Sequence, residues 1–228
     1  APGLAIMSRD ATARTARDDA PARPVKRGPI GMTLAILGAL IGAALTASLL
    51  SVLLEWAGIA LGWWPGTHSR DLLITERGYV EAIDDYPLSP LRPTQLTAMA
   101  WSQFDRGLSF VGLTASAGVY GVAAINTVKL LLLRLVIVAL ALPGYALAMV
   151  AGLFEGLVAR DIRKFTGGHE SAYVFHKAKR WIAPSVMLTV TLYLMLPWSV
   201  PPALLFAPTL LLTAGMVYIA ASRFKKFV

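Results

Sequence analysis

The residues best suited to chemistry are concentrated in one stretch, residues 160–181, with the sequence RDIRKFTGGHESAYVFHKAKRW. The stretch holds two of the three histidines and six of the 21 lysines and arginines. His169 and Glu170 begin the HExxH pattern of zinc proteases, which needs a second histidine four residues after the first so that both imidazoles share one helix face. That position is Tyr173, and His176 lies seven residues from His169. We therefore predict no metal site here.

Other catalytic patterns are also missing from the sequence. The chain contains no cysteine, which excludes thiol catalysis, disulfide bonds and zinc-thiolate sites. It has no Walker-type glycine loop, no nucleophile elbow and no paired carboxylates within an apolar run. The serine-lysine spacing at Ser222 and Lys225 lacks every companion motif. We predict that the protein is not an enzyme and that it binds no cofactor.

A helical interpretation of residues 170–181 gives the stretch a different role. Apolar side chains such as Val174 and Trp181 fall on one side of such a helix, and four basic or titratable side chains cover the other. The helix is then either an anchor whose cations lie near lipid phosphates, or a docking surface for a cytoplasmic protein with an acidic face. We expect no direct DNA binding, although clustered cations can bind phosphate nonspecifically. The candidate residues for binding a partner or lipid are Arg160, Arg163, Lys164, His169, His176, Lys177, Lys179 and Arg180.

The composition indicates a membrane protein. Hydrophobic residues make up 56% of the 228 residues, charged residues 15%, and the mean hydropathy is +0.62. Residues 32–54 are uncharged and long enough to cross a hydrocarbon core of about 30 Å. Further apolar runs cover residues 128–159, 182–198 and 203–221, the last two separated by a cluster of prolines and a tryptophan. We predict an all-α integral membrane protein with four transmembrane helices.

These runs divide the chain into seven parts. Thr97, Trp101 and Leu108 recur at helical spacing and predict an amphipathic helix between the first two runs. The predicted parts are a mobile basic arm (1–29), the first transmembrane helix with its aromatic exit (30–64), an extracytoplasmic segment with the amphipathic helix (65–126), the second transmembrane helix (127–159), a basic loop or helix (160–181), a transmembrane hairpin (182–221) and a basic tail (222–228).

The distribution of charge predicts the orientation of these helices. The net charge is +8, and fifteen of the 21 lysines and arginines fall in the arm, in residues 160–181 and in the tail. Residues 65–126 carry an excess of carboxylates. By the positive-inside rule both termini are cytoplasmic, and residues 65–126 are outside, in the periplasm if the source is a Gram-negative bacterium.

Two kinds of contact are predicted within the membrane. Glu55 and Arg134 should lie at similar depth, where an unpaired charge costs about 2–3 kcal/mol, so we predict an ion pair between them. The alternative is that each side chain reaches the headgroups separately. Small residues at intervals of four allow close approach of helices, and they predict packing at Gly38, Gly42, Gly144, Ala148, Gly152 and Gly156.

Three stretches of the second half are GLVARDIRKFTGGHESAYVFHKAKRW, LPWSVPP and SRFKKFV. Together they resemble the integrating conjugative element membrane proteins, a family with a domain of unknown function from bacterial conjugation gene clusters. The resemblance covers residues 128–228, is weaker at LLEWAGIALGWW, and departs from the family pattern at His169. It implies a multi-pass protein of the bacterial inner membrane that works with the conjugative type IV secretion machinery, near the coupling ATPase that recruits DNA.

The sequence and the resemblance together predict a noncatalytic scaffold or accessory subunit of a conjugative DNA-transfer apparatus. We expect it to contact membrane lipids and to dock the coupling ATPase through its basic loop, and we leave open whether copies of the chain associate with one another. The alternative is a small-molecule transporter or channel-like protein. Against it, Arg134 and Glu155 are the only ionisable residues well within the runs, both lie toward the ends, and no broken helices occur in matching halves.

Overall fold

The computed structural model describes residues 29–84, 92–112, 118–166 and 172–223, and this part of the chain is all-helical, which confirms the predicted class. The helices are α1 (Pro29–Ala60), α2 (His68–Asp84), α3 (Pro93–Val111), α4 (Val119–Thr166), α5 (Ala172–Met195) and α6 (Pro202–Ser222). The chain divides after Ile41 into two units, and the second contains α2 to α6 and most of α1. The predicted arm, residues 1–29, and tail, residues 222–228, lie almost entirely outside the described residues.

Three helices of the described chain are long and apolar enough to cross a membrane. They are Ile41–Ala60 within α1, Val119–Arg163 within α4, and Pro202–Ser222, which is α6. Residues 182–195 of the predicted run 182–198 fall in α5, which is not in this group. A membrane-spanning protein is therefore supported, but the predicted count of four transmembrane helices is not confirmed and stays a prediction.

Helices α4 and α5 both extend beyond the predicted boundaries. With 48 residues, α4 is about 72 Å long at 1.5 Å per residue, more than twice a hydrocarbon core of about 30 Å. It unites the end of the predicted extracytoplasmic segment, the second apolar run and the first residues of the basic stretch. The basic stretch continues into the third apolar run within α5. Pro143 and Pro184 lie inside these helices without ending them.

Helices α4 and α6 run parallel and pack along a shared length. At one end of this shared length, the Tyr145 hydroxyl lies 2.6 Å from Thr209 Oγ1. Further along, Gly156 faces the backbone of Tyr218. Residue numbers in both helices rise in the same direction along this contact. The chain that connects the end of α4 to the start of α6 therefore has to run back along the length of the contact. That return is made by α5, whose 24 residues measure about 36 Å.

Helix α4 is the centre of the packing and contacts α2, α3, α5 and α6. The larger buried cluster joins four helices through apolar and aromatic side chains. Within it, the ring of Phe206 lies 5.2 Å from that of Tyr193 and 6.4 Å from that of Tyr145, both edge to face. The members of this cluster are Val80, Leu133, Ile137, Tyr145, Tyr193 and Phe206.

The segment between the first two apolar runs contains two helices, α2 and α3, where the sequence predicted one amphipathic helix. The predicted helix is α3, which buries Thr97 and packs Trp101 against the core. The Trp101 indole N–H donates to the Lys129 carbonyl at 3.0 Å, and the Lys129 ammonium lies 2.8 Å from Asp105. These contacts fix α3 along the N-terminal part of α4.

Candidate functional site

The most buried charged side chains of the described chain form an ion pair between Arg134 of α4 and Glu76 of α2. They are only 3% and 0% exposed, respectively. Arg134 Nε donates to both carboxylate oxygens of Glu76, at 2.9 and 3.1 Å, and Nη2 donates to Glu76 Oε1. This forked arrangement fixes the direction of both side chains as well as their distance.

The remaining donors of Arg134 bind carbonyls at the C-terminal end of α5 and in the residues that follow it. Nη1 donates to the Leu194 and Leu196 carbonyls at 3.3 and 2.7 Å, and Nη2 donates to the Trp198 carbonyl at 3.2 Å. A guanidinium has five N–H groups, and each of them has an acceptor here. The cation also stabilises the negative end of the helix dipole and lies 5.5 Å from the ring centre of Tyr193. The Arg134 site therefore joins α2, α4 and α5.

The charges of Arg134 and Glu76 are stable in this buried site only as a pair. Burial raises the pKa of the Glu76 carboxyl above its ordinary value, and the hydrogen bonds and positive charge of Arg134 oppose that rise. A buried ion is tolerated when a partner compensates its lost hydration, and it becomes costly when the partner is removed. With every donor of Arg134 occupied, the arrangement is suited to holding helices together.

The predicted pair between Arg134 and Glu55 is wrong. Glu55, on α1, accepts a hydrogen bond from the Ser69 backbone N–H at 3.0 Å, and its other oxygen lies 3.0 Å from His68 Nδ1. His68 and Ser69 begin α2 after a short turn, so they reach the end of α1 by local geometry. Glu55 and Arg134 nevertheless line the same small cavity.

Sequence reasoning missed Glu76, although a signal for it exists. On α2, Glu76 lies at helical spacing between Leu73 and Val80, both of which belong to the buried cluster or pack against it. A carboxylate on the apolar side of an amphipathic helix requires a buried partner, because an unpaired charge there is strongly unfavourable. The signal becomes visible only when α2 is recognised as a separate helix.

Two glycines of the predicted small-residue pattern on α4 lie directly against α6. A β carbon on Gly152 would overlap the Ala214 carbonyl oxygen. On Gly156 it would lie 2.6 Å from Ala221 Cβ and 2.7 Å from the Tyr218 carbonyl oxygen. Only glycine permits this approach, so the contact between α4 and α6 depends on both positions.

The other predicted packing residues have looser surroundings. A β carbon on Gly144 would meet the Leu210 methyl groups at 3.7 Å, an ordinary contact distance, and Ala148 is half-buried. A β carbon on Gly38 or Gly42 would have no neighbour within 4 Å among the described residues. The packing predicted at Gly38 and Gly42 stays a prediction.

The candidate residues for binding a partner or lipid are divided between two helices. Arg160 and Arg163 are half-buried in the last turns of α4, while the side chain of Lys164 and all of His169 lie outside the described part. The other four are exposed near the start of α5, and we call them the basic surface: His176, Lys177, Lys179 and Arg180.

A groove of about 670 Å³ runs beside the basic surface. Tyr173 and Trp181 contribute aromatic rings to it, and both are exposed. The Lys177 ammonium lies 5.8 Å from the ring centre of Tyr173. The sequence placed Trp181 on the apolar side, away from the cations, whereas it lines the groove together with Lys177 and Arg180. This surface offers positive charge and aromatic area to whatever binds there.

Potential metal ligands are dispersed in the structure. Across residues 29–84, 92–112, 118–166 and 172–223, no three histidine, aspartate or glutamate side chains are placed to hold a metal ion. His68 is occupied by Glu55 and stacks on Trp64, with ring centres 4.6 Å apart. His176 lies on the exposed basic surface.

Comparison with known proteins identifies a family. A family model described as IncC plasmid conjugative DNA transfer protein DtrJ-like matches residues 68–225, which include α2 to α6. No curated protein and no solved structure matches the chain. The conjugation-related family indicated by the resemblance is thereby confirmed at the level of conjugative DNA transfer, although the matching model does not name the integrating conjugative element proteins.

Proposed function

We propose that this chain, which belongs to the DtrJ-like family of conjugative DNA transfer proteins, is a noncatalytic scaffold in the bacterial inner membrane. In this proposal its basic surface docks the coupling ATPase of the type IV secretion machinery. The observation that carries the proposal is a difference in burial between two groups of charged side chains, the Arg134 site and the basic surface. The Arg134 site is buried and saturated, whereas four polar or cationic side chains of α5 are exposed together.

The packing of α4, α5 and α6 supports four transmembrane helices. Helices α4 and α6 are candidate spans and run parallel, so α5 has to return across whatever thickness they cross. Its length of about 36 Å is sufficient. The cations in its first half lower its mean hydropathy. They are compatible with a membrane-spanning helix, because long basic side chains can reach the headgroups while their stems stay in the apolar region.

The arrangement of charge supports cytoplasmic placement of the basic surface. With four transmembrane helices, the N-terminal arm, residues 160–181 and the tail share one side of the membrane, and they hold fifteen of the 21 lysines and arginines. The positive-inside rule assigns that side to the cytoplasm. Arg134, which binds carbonyls at the C-terminal end of α5, is then close to the external surface, beside α2.

The complete set of hydrogen bonds made by Arg134 favours a scaffold over a transporter. Ionisable residues within membrane proteins commonly mark the path of a substrate or ion. Here the guanidinium has no donor left for a substrate, and the cavity beside it measures only about 20 Å³. A cavity of that volume accommodates about one water molecule.

The docking proposal can be tested by copurification from cells that contain the complete transfer apparatus. Charge reversal of Lys177, Lys179 and Arg180 to glutamate should abolish capture of the coupling ATPase, because it places negative charge opposite an acidic partner face. A matched control reverses three exposed arginines of the predicted external segment, Arg70, Arg92 and Arg106. The control variant should capture the ATPase as wild type does.

Both variants are first checked for membrane insertion with reporter fusions. Loss of the ATPase from the α5 variant alone supports docking. Identical partner sets for wild type and the α5 variant would overturn it and leave the basic surface as a lipid anchor. Capture that survives in the α5 variant but disappears after nuclease treatment would also overturn it, because DNA would then link the two proteins.

A further inference from the structure

A small, partly open cavity of about 20 Å³ lies beside the Arg134 site, between α1, α2, α4 and the C-terminal end of α5. A cavity in a protein interior stays dry when its lining is apolar. This one differs, because five of the residues that line it carry polar side chains: Ser51, Glu55, Ser69, Thr127 and Arg134.

Two of these side chains have buried hydroxyl groups without a hydrogen-bond partner in the described structure. They are Ser51 Oγ, on α1, and Ser69 Oγ, on α2. Ser69 is only 1% exposed, so solvent at the surface of the protein cannot reach its hydroxyl. A buried hydroxyl that makes no hydrogen bond is unfavourable, because it has lost its bonds to water without replacing them.

The same cavity also contains unused acceptors. Each oxygen of the Glu55 carboxylate has one contact, from the Ser69 backbone or from His68, and retains a second lone pair. The Thr127 hydroxyl donates to the Ala123 carbonyl at 2.8 Å, which leaves its oxygen free to accept. Arg134 has no remaining donor for this space. Two donors and two acceptors therefore line one cavity without bonding to each other.

We propose that this cavity binds one ordered water molecule, which accepts hydrogen bonds from Ser51 and Ser69 and donates to Glu55 and Thr127. A cavity holds a water when it offers about 10–15 Å³ and two to four polar partners, and both conditions are met here. The site takes a neutral occupant, because the charge of Glu55 is already shared with His68 and Ser69, and the Arg134 guanidinium disfavours a second cation nearby.

This water has a structural role that is independent of the proposed docking function. It connects Ser51 of α1 to α2 and α4, and α1 makes few backbone contacts with the other helices. The family match begins at α2, so the water site joins the matched part of the chain to the helix that precedes it. Loss of the water would loosen α1 and leave the basic surface of α5 unchanged.

A double-mutant cycle tests the proposal, because the two serine hydroxyls make no direct hydrogen bond. Ser51→Ala and Ser69→Ala are measured singly and together by thermal unfolding of the full chain in nanodiscs. Each single substitution should lower Tm by about 2–4 °C, the shift that about 1 kcal/mol produces in a chain of this size. The double variant should fall by clearly less than the sum, since both hydroxyls bind the same water.

A matched control combines Ser51→Ala with Ser185→Ala. Ser185 is also buried, but its hydroxyl donates to the Ile182 carbonyl on α5 and does not line the cavity. The shifts of this pair should add. If Ser69→Ala does not yield folded protein, Ser69→Cys replaces it in the cycle, because a thiol has similar size and is a weaker donor.

Two results would overturn the water site. Additive shifts for Ser51 and Ser69 would show that nothing bridges the two hydroxyls. The second result concerns a monovalent cation. The Tm of the wild type would rise saturably in sodium or potassium chloride, relative to N-methylglucamine chloride at equal ionic strength. If Ser69→Ala abolished that rise, a cation and not water would occupy the cavity. Equal Tm in the three salts together with a nonadditive cycle supports water.

Discussion

Charge serves different purposes at the Arg134 site and at the basic surface. At the Arg134 site, one arginine and one glutamate are almost completely buried, and each donor has an acceptor. On the basic surface, four neighbouring side chains of α5 are exposed, and the ammonium groups of Lys177 and Lys179 lie 5.8 and 5.9 Å from the ring centres of Tyr173 and Phe175, respectively. The comparison indicates that burial, more than the number of charges, separates residues that hold the fold from residues left accessible to a partner.

The expected energies of the two regions differ accordingly. Removing one member of a buried pair leaves the other charge uncompensated and costs about 3–5 kcal/mol. An exposed cation contributes about 0–1 kcal/mol, because water already solvates it. The variants below follow this gradient of burial from the largest expected loss of stability to the smallest.

Arg134→Leu should produce the largest loss, about 3–5 kcal/mol in the free energy of unfolding. The substitution leaves Glu76 buried without a cation and removes the donors of three carbonyls at the end of α5. The measurement is denaturant unfolding in detergent. Adding Glu76→Leu should recover part of the loss, since a buried pair can be replaced by apolar side chains at little cost.

Glu55→Gln is the matched control for the Arg134 pair. It removes a buried carboxylate that lines the same cavity but bonds to His68 and Ser69. Its effect should add to that of Arg134→Leu, whereas Glu76 and Arg134 should show strong coupling. Stronger coupling of Arg134 to Glu55 than to Glu76 would contradict the pairing described above.

Asp105→Asn tests an intermediate degree of burial. Its partner Lys129 lies on α4 near Arg134, and the two side chains are 51% and 22% exposed. The substitution should cost less than about 1 kcal/mol, and the difference should shrink at high salt because exposed pairs are screened. A loss as large as that of Arg134→Leu would show that location along α4, and not burial, sets the cost.

The double substitution Lys177→Gln and Arg180→Gln should have the smallest effect on folding. Both side chains are exposed on the basic surface, so the free energy of unfolding should change by no more than about 0.5 kcal/mol. The same unfolding measurement checks it, with Lys179→Gln as a single-site reference. A loss above about 2 kcal/mol would place these cations among the residues that maintain the fold, and would remove the contrast with the Arg134 site.

The existence of the long apolar helices could be predicted from sequence, whereas their ends could not. A run of 18 or more apolar residues indicates a spanning helix by length alone, and α1, α4 and α6 satisfy that condition. The sequence between residues 107 and 126 is only weakly apolar, so nothing local shows that α4 begins as early as Val119. Similarly, the pattern of cations in residues 170–181 is typical of a separate surface helix, although α5 continues through these residues into the next apolar run.

The partner of Arg134 could not be predicted because it depends on tertiary packing. Arg134 and Glu76 are 58 residues apart, and they meet only because α2 folds back onto α4. Depth in the membrane suggested Glu55, but the turn after α1 brings His68 and Ser69 to that carboxylate first. The small residues of α4 were easier to interpret, since Gly152 and Gly156 permit close approach wherever a second helix packs.

The contacts of Arg134 can form only in a certain order while the chain is being synthesised. Glu76 leaves the ribosome before Arg134, so the ion pair can form as soon as α4 is made. The last carbonyl acceptor, at Trp198, lies 64 residues further along the chain. At about 5–20 residues per second, the ribosome needs roughly 3–13 s to reach it, and during that interval three donors of the guanidinium have only water or lipid headgroups as partners. Synthesis of α5 and of the residues up to Trp198 therefore completes a site that begins to form when α2 and α4 meet.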